Sequence, residues 1–163
     1  MIRIAVVGDI GSGKSYVARK FGYPVFNADK EVSKIYKKNR KCYKKLRKAI
    51  PNYITSFPIK KSELKKAILY NKKNLKKISK IVHPEVQNRM KNFTSKNKNK
   101  KFIVLDIPLL IENKINKKND ILIFVNAKKT EINKRLKKRL NTNFRIIRKL
   151  RKLQLPLEFK KKS

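Results

Sequence analysis

Short apolar runs alternate with longer amphipathic segments at the start of the chain. The run Ile2–Val7 is rich in β-branched residues and stops at a glycine loop, and an amphipathic segment follows from Lys14 to about Phe21. A second short run, Pro24–Phe26, ends at Asn27-Ala28-Asp29, whose side chains are typical of a strand end and a helix N-cap. The pattern predicts a strand, a glycine loop, a helix and a second strand, with the next helix beginning near Asp29.

The middle of the chain has a helical period and a strongly basic composition. This character extends from Asp29 to about Met90 and is interrupted by three prolines. Because proline removes a backbone donor and clashes with the preceding turn, Pro51, Pro58 and Pro84 each predict a helix boundary or a helix start. We interpret this part of the chain as a helical insertion.

Two continuous apolar runs follow, Phe102–Asp106 and Ile121–Val125, and both predict buried parallel strands. Strands separated by helices give an α/β fold with a parallel sheet, whose ligands bind beyond the carboxyl ends of the strands. The glycine loop, Asp29 and Asp106 are all expected at that edge of the sheet.

Length and composition narrow the class of protein. A chain of 163 residues with 40% hydrophobic residues suits one domain with a substantial core. No stretch approaches the roughly 20 apolar residues that span a bilayer, and Met1 leads directly into a strand. The single cysteine, Cys42, fits a reducing compartment and is assigned no role. We therefore expect a cytoplasmic protein with no membrane partner, and the oligomeric state is left open.

The formal net charge of +37 raises the question of nucleic acid, because clustered Lys and Arg release counterions from phosphates. Here the lysines are on every candidate helix and seldom alternate with aromatic residues. That distribution favours the interpretation that codon usage biased toward A and T has placed Lys and Asn at solvent-exposed positions. Steering of phosphate substrates by the positive field and dedicated nucleic-acid binding remain as alternatives. We expect no dedicated nucleic-acid partner.

The segment Gly8–Ser15 matches the phosphate-binding P-loop pattern, follows a predicted strand and opens a predicted helix. Its glycines let backbone N–H groups curl around phosphate oxygens, and the helix N-terminus adds its positive dipole end. Lys14 is expected to reach the β- and γ-phosphates of ATP, and Ser15 to supply a hydroxyl to Mg²⁺. The predicted ATP-binding residues are Gly8, Gly11, Ser12, Gly13, Lys14, Ser15 and Tyr16. This segment indicates an ATP-dependent kinase of the P-loop class.

Phosphoryl transfer to an alcohol also needs a carboxylate that orients the hydroxyl and accepts its proton. Asp29 is the best candidate for this base, with a helix N-cap as the structural alternative. Asp106 is a candidate for holding Mg²⁺, directly or through water, and its alternative is a turn or capping carboxylate. His83, the only histidine, is either a buried and hydrogen-bonded imidazole or a substrate contact.

A basic helix is predicted after Thr130, and a further helix around Phe144 to Leu155. Arg135 and Arg139 lie four residues apart on the first of these helices, hence on one face. Two guanidinium groups there could clamp the transferring phosphates. Since Lys and Arg are so common in this chain, a solvated helix face is the alternative.

Together these residues resemble the dephospho-CoA kinase family, whose members phosphorylate the 3′-hydroxyl of the ribose in dephospho-CoA to complete coenzyme A. The resemblance spans essentially the whole chain. The matching elements are the P-loop Gly8–Ser15, the Asp-Ala-Asp segment at Phe26–Asp29, the His-Pro element at Val82–Pro84, the Asp-x-Pro-Leu-Leu-x-Glu stretch at Leu105–Glu112, the arginines Arg135 and Arg139, and Gln154.

The resemblance implies a single P-loop kinase domain over residues 1–163, of the three-layer α/β/α type. It implies a helical CoA-binding insertion at about residues 31–91 and a short lid at about residues 131–150. It further implies ATP, Mg²⁺ and dephospho-CoA as ligands, catalysis by Asp29, Lys14, Arg135 and Arg139, and substrate contacts from His83.

Two features depart from the family pattern. Asn27 stands at the first Asp of the Asp-Ala-Asp segment, although its amide can still hydrogen-bond to a substrate. The family chain also continues past Gln154 into another strand and a final helix, which we expect to be missing here. The rival hypotheses are another small-molecule P-loop kinase such as a nucleoside monophosphate kinase, a nucleic-acid-binding protein that uses the loop only for nucleotide, and an inactive remnant.

Overall fold

The structure is a computed structural model, and it describes residues 1–138 and 143–162. The chain divides into two compact units. The first contains residues 1–27 and the described part of 94–163, and the second contains residues 28–93. The described helices are α1 (Lys14–Lys20), α2 (Ala28–Lys38), α3 (Arg40–Ala49), α4 (Lys61–Tyr70), α5 (Lys72–Lys96), α6 (Lys129–Lys138), α7 (Phe144–Arg151) and α8 (Leu157–Lys162).

The first unit is built on a four-stranded parallel sheet. Its strands are β1 (Ile2–Gly8), β2 (Val25–Asn27), β3 (Phe102–Asp106) and β4 (Ile121–Val125), in the order β2-β3-β1-β4. All three pairings are parallel. The predicted α/β class with a parallel sheet is therefore confirmed, and all four strands end at the same edge.

The two inner strands carry the core of this unit. Val6, Val104 and Leu105 have no measurable solvent exposure, as expected for strands that are covered on both faces. The helix α1 packs through Ala18, which is also fully buried, against the same cluster. The sheet and α1 thus hold both ends of the intervening glycine loop in fixed positions.

The second unit is helical, and α2, α3, α4 and most of α5 pack around one apolar cluster. Ile35, Leu46, Ile54 and Ala67 are fully buried in it. Cys42 is also a core residue, and burial raises the pKa of its thiol to about 11. The thiol is therefore protonated at neutral pH, which is the form that is not nucleophilic.

The prediction that Pro84 marks a helix boundary was wrong, because it lies inside the 25-residue helix α5. Pro84 is exposed, whereas Ile78, Val82 and Val86 pack on the apolar cluster. Burial of that face stabilises the helix on both sides of the proline, and the local propensity is overridden.

Two helix limits near the C-terminus also differ from the prediction. The helix α7 ends at Arg151, four residues before the predicted Leu155, and α8 follows where the sequence shows only a lysine-rich end. The buried side chain of Lys160 lies 2.6 Å from the carboxylate of Glu112. This tertiary contact holds α8 in place, and nothing in the local sequence distinguishes Lys160 from its neighbours.

Candidate active site

The phosphate loop, residues Gly8–Ser15, connects the end of β1 to the start of α1. Three of its glycines have positive φ angles, which an L side chain adopts only with strain. At Gly8 a Cβ would also lie 2.6 Å from the carbonyl oxygen of Val125 at the end of β4. The sequence therefore needs glycine at this position for two independent reasons.

Lys14 is directed into the loop. Its side chain is buried, and Nζ donates to the carbonyl oxygens of Gly8 at 3.1 Å and Asp9 at 2.6 Å. Within the part of the chain that the structure describes, the buried hydroxyl of Ser12 has no hydrogen-bond partner. A buried ammonium and an unsatisfied hydroxyl in a glycine-rich loop fit an anionic oxygen ligand such as phosphate.

The basic helix α6 lies across this loop. Its buried Ile132 and Leu136 flank Gly11, where a Cβ would come within 3.1 Å of both side chains. Arg135 Nη1 donates to the carbonyl oxygen of Ser12 at 2.8 Å. The structure thus brings Arg135 to the phosphate loop, whereas Arg139 lies outside the described residues.

Asp106 ends β3 beside the phosphate loop. It is 3% exposed and is in register with Val6 on one side and with Asn27 on the other. The amide Nδ2 of Asn27 donates a hydrogen bond to Asp106 Oδ2. The predicted Mg²⁺ carboxylate is therefore placed two residues from the end of β1, with its orientation fixed by a neighbouring side chain.

The protein oxygen atoms at this site fit Mg²⁺ only together with phosphate oxygens from a bound substrate. Among the described residues, no group of three or more His, Cys, Asp or Glu side chains could hold a metal ion. Mg²⁺ commonly takes one or two carboxylates together with substrate phosphates. Asp106 and the half-buried Ser15 supply hard oxygen donors of that kind.

Asp29 and His83 belong to the second compact unit. Asp29 is exposed in the first turn of α2, which begins at Ala28, so it follows the cap position. His83 is exposed on α5, and the interpretation of a buried imidazole is therefore wrong. The catalytic role of Asp29 and the substrate contact by His83 stay predictions, as does the role of the exposed Tyr16 in α1.

Two ion pairs in the first unit were not predicted from the sequence. Arg151 pairs with Asp9 in the phosphate loop, and Lys160 pairs with Glu112. A phosphate-binding loop attracts anions, so a carboxylate within it is unexpected. This mismatch of charge is the feature of the sequence that could have drawn attention to Asp9. Neither basic partner could be singled out, since the chain has 47 Lys and Arg residues.

Within the described residues no helix has the length and apolar character that a membrane span requires. The glycine loop between a central parallel strand and a helix, with its buried lysine, defines a P-loop kinase fold.

Comparison with known proteins identifies the family within this class. A family model described as dephospho-CoA kinase matches residues 2–163. The chain is 33% identical to a dephospho-CoA kinase of Wolbachia sp. subsp. Brugia malayi, over 97% of this chain and 83% of that protein. It is also 33% identical to a dephospho-CoA kinase of Fusobacterium nucleatum, over 95% of this chain and 82% of that protein.

A solved structure supports the fold. The crystal structure of TT1252 from Thermus thermophilus matches with a TM-score of 0.78 at 27% identity, and the match covers 99% of this chain and 84% of that one.

The chain belongs to the dephospho-CoA kinase family. It is therefore an ATP-dependent kinase, a nucleotide-binding transferase.

Proposed function

We propose that this chain transfers the γ-phosphate of ATP to the 3′-hydroxyl of dephospho-CoA, the last step of coenzyme A biosynthesis. Family membership supports the substrate, and the observation that carries the chemistry is the convergence of Lys14 and Arg135 on the phosphate loop. Catalysis in this class consists mainly of positioning and charge stabilisation. No covalent intermediate with the protein is required.

Lys14 and the loop N–H groups hold the β- and γ-phosphates. Lys14 Nζ donates to the neutral carbonyl oxygens of Gly8 and Asp9. Exchange of a carbonyl for a phosphate oxygen gives a charge-assisted and stronger hydrogen bond. Mg²⁺, held by Ser15 and Asp106, would neutralise charge that develops on the phosphates.

Arg135 closes over the transferring group from α6. Its guanidinium has five N–H donors, of which one contacts Ser12. The remaining donors are suited to planar, bidentate contact with phosphate oxygens. We assign Arg139 the same role from the sequence alone.

Asp29 is the proposed general base, and His83 and Asn27 are the proposed substrate contacts. The helical segment of about residues 31–91 binds the CoA portion, and residues of about 131–150 form the lid.

The enzyme is cytoplasmic in this proposal, and its partner is the small-molecule substrate rather than nucleic acid. A DNA- or RNA-binding role predicts an affinity that falls steeply with log salt, which a titration at several ionic strengths tests.

The decisive experiment measures ADP formation with ATP, Mg²⁺ and dephospho-CoA for the wild type and Asp29→Asn. We expect substrate-dependent turnover, and a loss of about 10²–10⁴-fold in kcat in the variant because a positioned base contributes that much. Lys100→Ala, an exposed residue that precedes β3 and lies outside both the CoA-binding segment and the lid, serves as the control and should retain activity.

The substrate is tested in the same assay with nucleoside monophosphates in place of dephospho-CoA. Turnover with a monophosphate and none with dephospho-CoA would replace the proposal by the rival kinase. Full activity in Asp29→Asn would remove this residue from the mechanism.

A further inference from the structure

The phosphate loop contains its own negative charge. Asp9, its second residue, has a side chain that is only 15% exposed, and Oδ1 accepts a hydrogen bond from the backbone N–H of Ile10 at 2.6 Å. The carboxylate is therefore held against the loop. A polyphosphate ligand that enters this loop must approach a fixed anion of the same sign.

Arg151, the last residue of α7, pairs with this carboxylate through two atoms. Nε donates to Oδ1 at 3.3 Å and Nη2 donates to Oδ2 at 3.0 Å. The two contacts use the fork geometry in which a guanidinium matches a carboxylate. The charge of Asp9 is thereby neutralised by a residue 142 positions away in the chain.

Both members of the pair line a pocket at the protein surface. Asp9 and Arg151 line this pocket of about 240 Å³ together with Lys129 and Asn133 of α6. An incoming anion would therefore meet Asp9 from the accessible side of the loop. Since charges near a protein surface interact strongly over a few ångströms, an unpaired Asp9 would oppose the binding of ATP.

We propose that Arg151 is a positioning residue that neutralises Asp9, so that the phosphate loop accepts the polyphosphate of ATP. Arg151 acts on ATP affinity through Asp9 and does not touch the nucleotide. The inference rests on the proposed function, because it takes ATP as the ligand of the loop.

Because Arg151 is 38% exposed, its ion pair with Asp9 should contribute little to folding, and the main consequence of losing Arg151 should be on ligand binding. The test is a double-mutant cycle with Asp9→Asn, Arg151→Ala and the double variant. Direct binding of ATP is measured by titration calorimetry at low and high salt, and kcat is measured separately.

We expect Arg151→Ala to weaken ATP binding about tenfold or more, with kcat at saturating ATP nearly unchanged. Asp9→Asn should bind ATP at least as well as the wild type. The double variant should recover to within about threefold of the wild type, since the repelling charge is gone. The defect of Arg151→Ala should shrink at high salt because an accessible charge is screened.

Two controls separate this effect from misfolding and from general loss of charge. Arg151→Lys keeps the charge and should retain most of the affinity, while Lys152→Ala removes an exposed charge from the end of the same helix and should have little effect. Thermal melting of every variant shows which of them fold.

The proposal is overturned if the double variant binds ATP as weakly as Arg151→Ala, because Arg151 would then contact the nucleotide itself. Unchanged affinity in Arg151→Ala overturns it as well. A wild type that binds ATP but does not phosphorylate dephospho-CoA sinks the proposed function and leaves this inference standing. A wild type that binds no ATP overturns both.

Discussion

The amide of Asn27 donates a hydrogen bond to the buried carboxylate of Asp106, and so joins the ends of β2 and β3 through their side chains. An aspartate at position 27 would place two carboxylates against each other at this point, where like charges disfavour double ionisation. Asparagine supplies a donor instead. The departure from the family pattern therefore leaves Asp106 hydrogen-bonded and aligned beside the phosphate loop.

Asp106→Asn should lower the apparent affinity of the active site for Mg²⁺. The amide keeps the shape of the side chain but loses the charge that attracts the metal ion. We expect the Mg²⁺ concentration for half-maximal activity to rise about 10–100-fold, the range seen when support of a metal site is lost. A Mg²⁺ titration of ADP formation measures this, and an unchanged titration curve would remove Asp106 from the metal site.

Gly8→Ala should destabilise the protein more than Gly22→Ala does. Both glycines have positive φ angles, 144° at Gly8 and 70° at Gly22, but a Cβ at Gly22 meets nothing within 4 Å. Gly22→Ala should cost about 1–2 kcal/mol in the free energy of unfolding from the backbone conformation alone. Gly8→Ala should cost about 1–3 kcal/mol more, because its Cβ overlaps the carbonyl oxygen of Val125. Urea unfolding compares the two, and equal costs would contradict the steric argument.

Lys160→Ala should be far more destabilising than Lys161→Ala. Lys160 is 2% exposed and lies 2.6 Å from Glu112, whereas Lys161 is 44% exposed beside Glu158. Removing one partner of a buried pair typically costs about 3–5 kcal/mol, while an exposed pair contributes about 0–1 kcal/mol.

The matching test is the double variant Glu112→Gln with Lys160→Met. Because it leaves no buried unpaired charge, it should recover much of the stability that Lys160→Ala loses. Thermal melting measures all three variants. A double variant as unstable as Lys160→Ala would show that the ion pair itself stabilises α8, because methionine keeps most of the apolar packing of the lysine stem.

Glu63 should make the second unit sensitive to acid. Burial by itself would raise the pKa of Glu63, but hydrogen bonds from Thr55, Ser56 and Lys60 outweigh it and hold the pKa below its ordinary value. A lowered carboxyl pKa stabilises the fold above the unfolded-state pKa of about 4.3, and this contribution disappears as the pH falls through the folded-state pKa.

Glu63→Gln should therefore lower the free energy of unfolding by about 1 kcal/mol at pH 7, through weaker acceptance of these hydrogen bonds. The difference between wild type and variant should shrink as the pH falls below the unfolded-state pKa of about 4.3 and through the lower folded-state pKa, below which both side chains are neutral. Denaturant unfolding at several pH values measures it. A difference that is constant with pH would show that charge is not involved.

Much of the fold and of the nucleotide site follows from the sequence, because local patterns report it. The apolar runs at 102–106 and 121–125 coincide with β3 and β4, and the glycine loop lies between β1 and α1 as its pattern predicts. A P-loop needs particular residues at fixed short spacing, so its chemistry is visible in eight consecutive positions.

Only the tertiary structure could decide the partners of charged side chains. The pairs Asp9 with Arg151, Glu112 with Lys160 and Asn27 with Asp106 join residues 48 or more positions apart. Among 47 basic residues, a local pattern cannot distinguish the few that are buried or paired from the many that face water. Packing also decided that Pro84 lies within a helix, since burial of the apolar face outweighs the local cost of the proline. The sequence by itself thus determined the class of fold and the chemistry of the phosphate loop, and long-range packing decided which charges act on that loop.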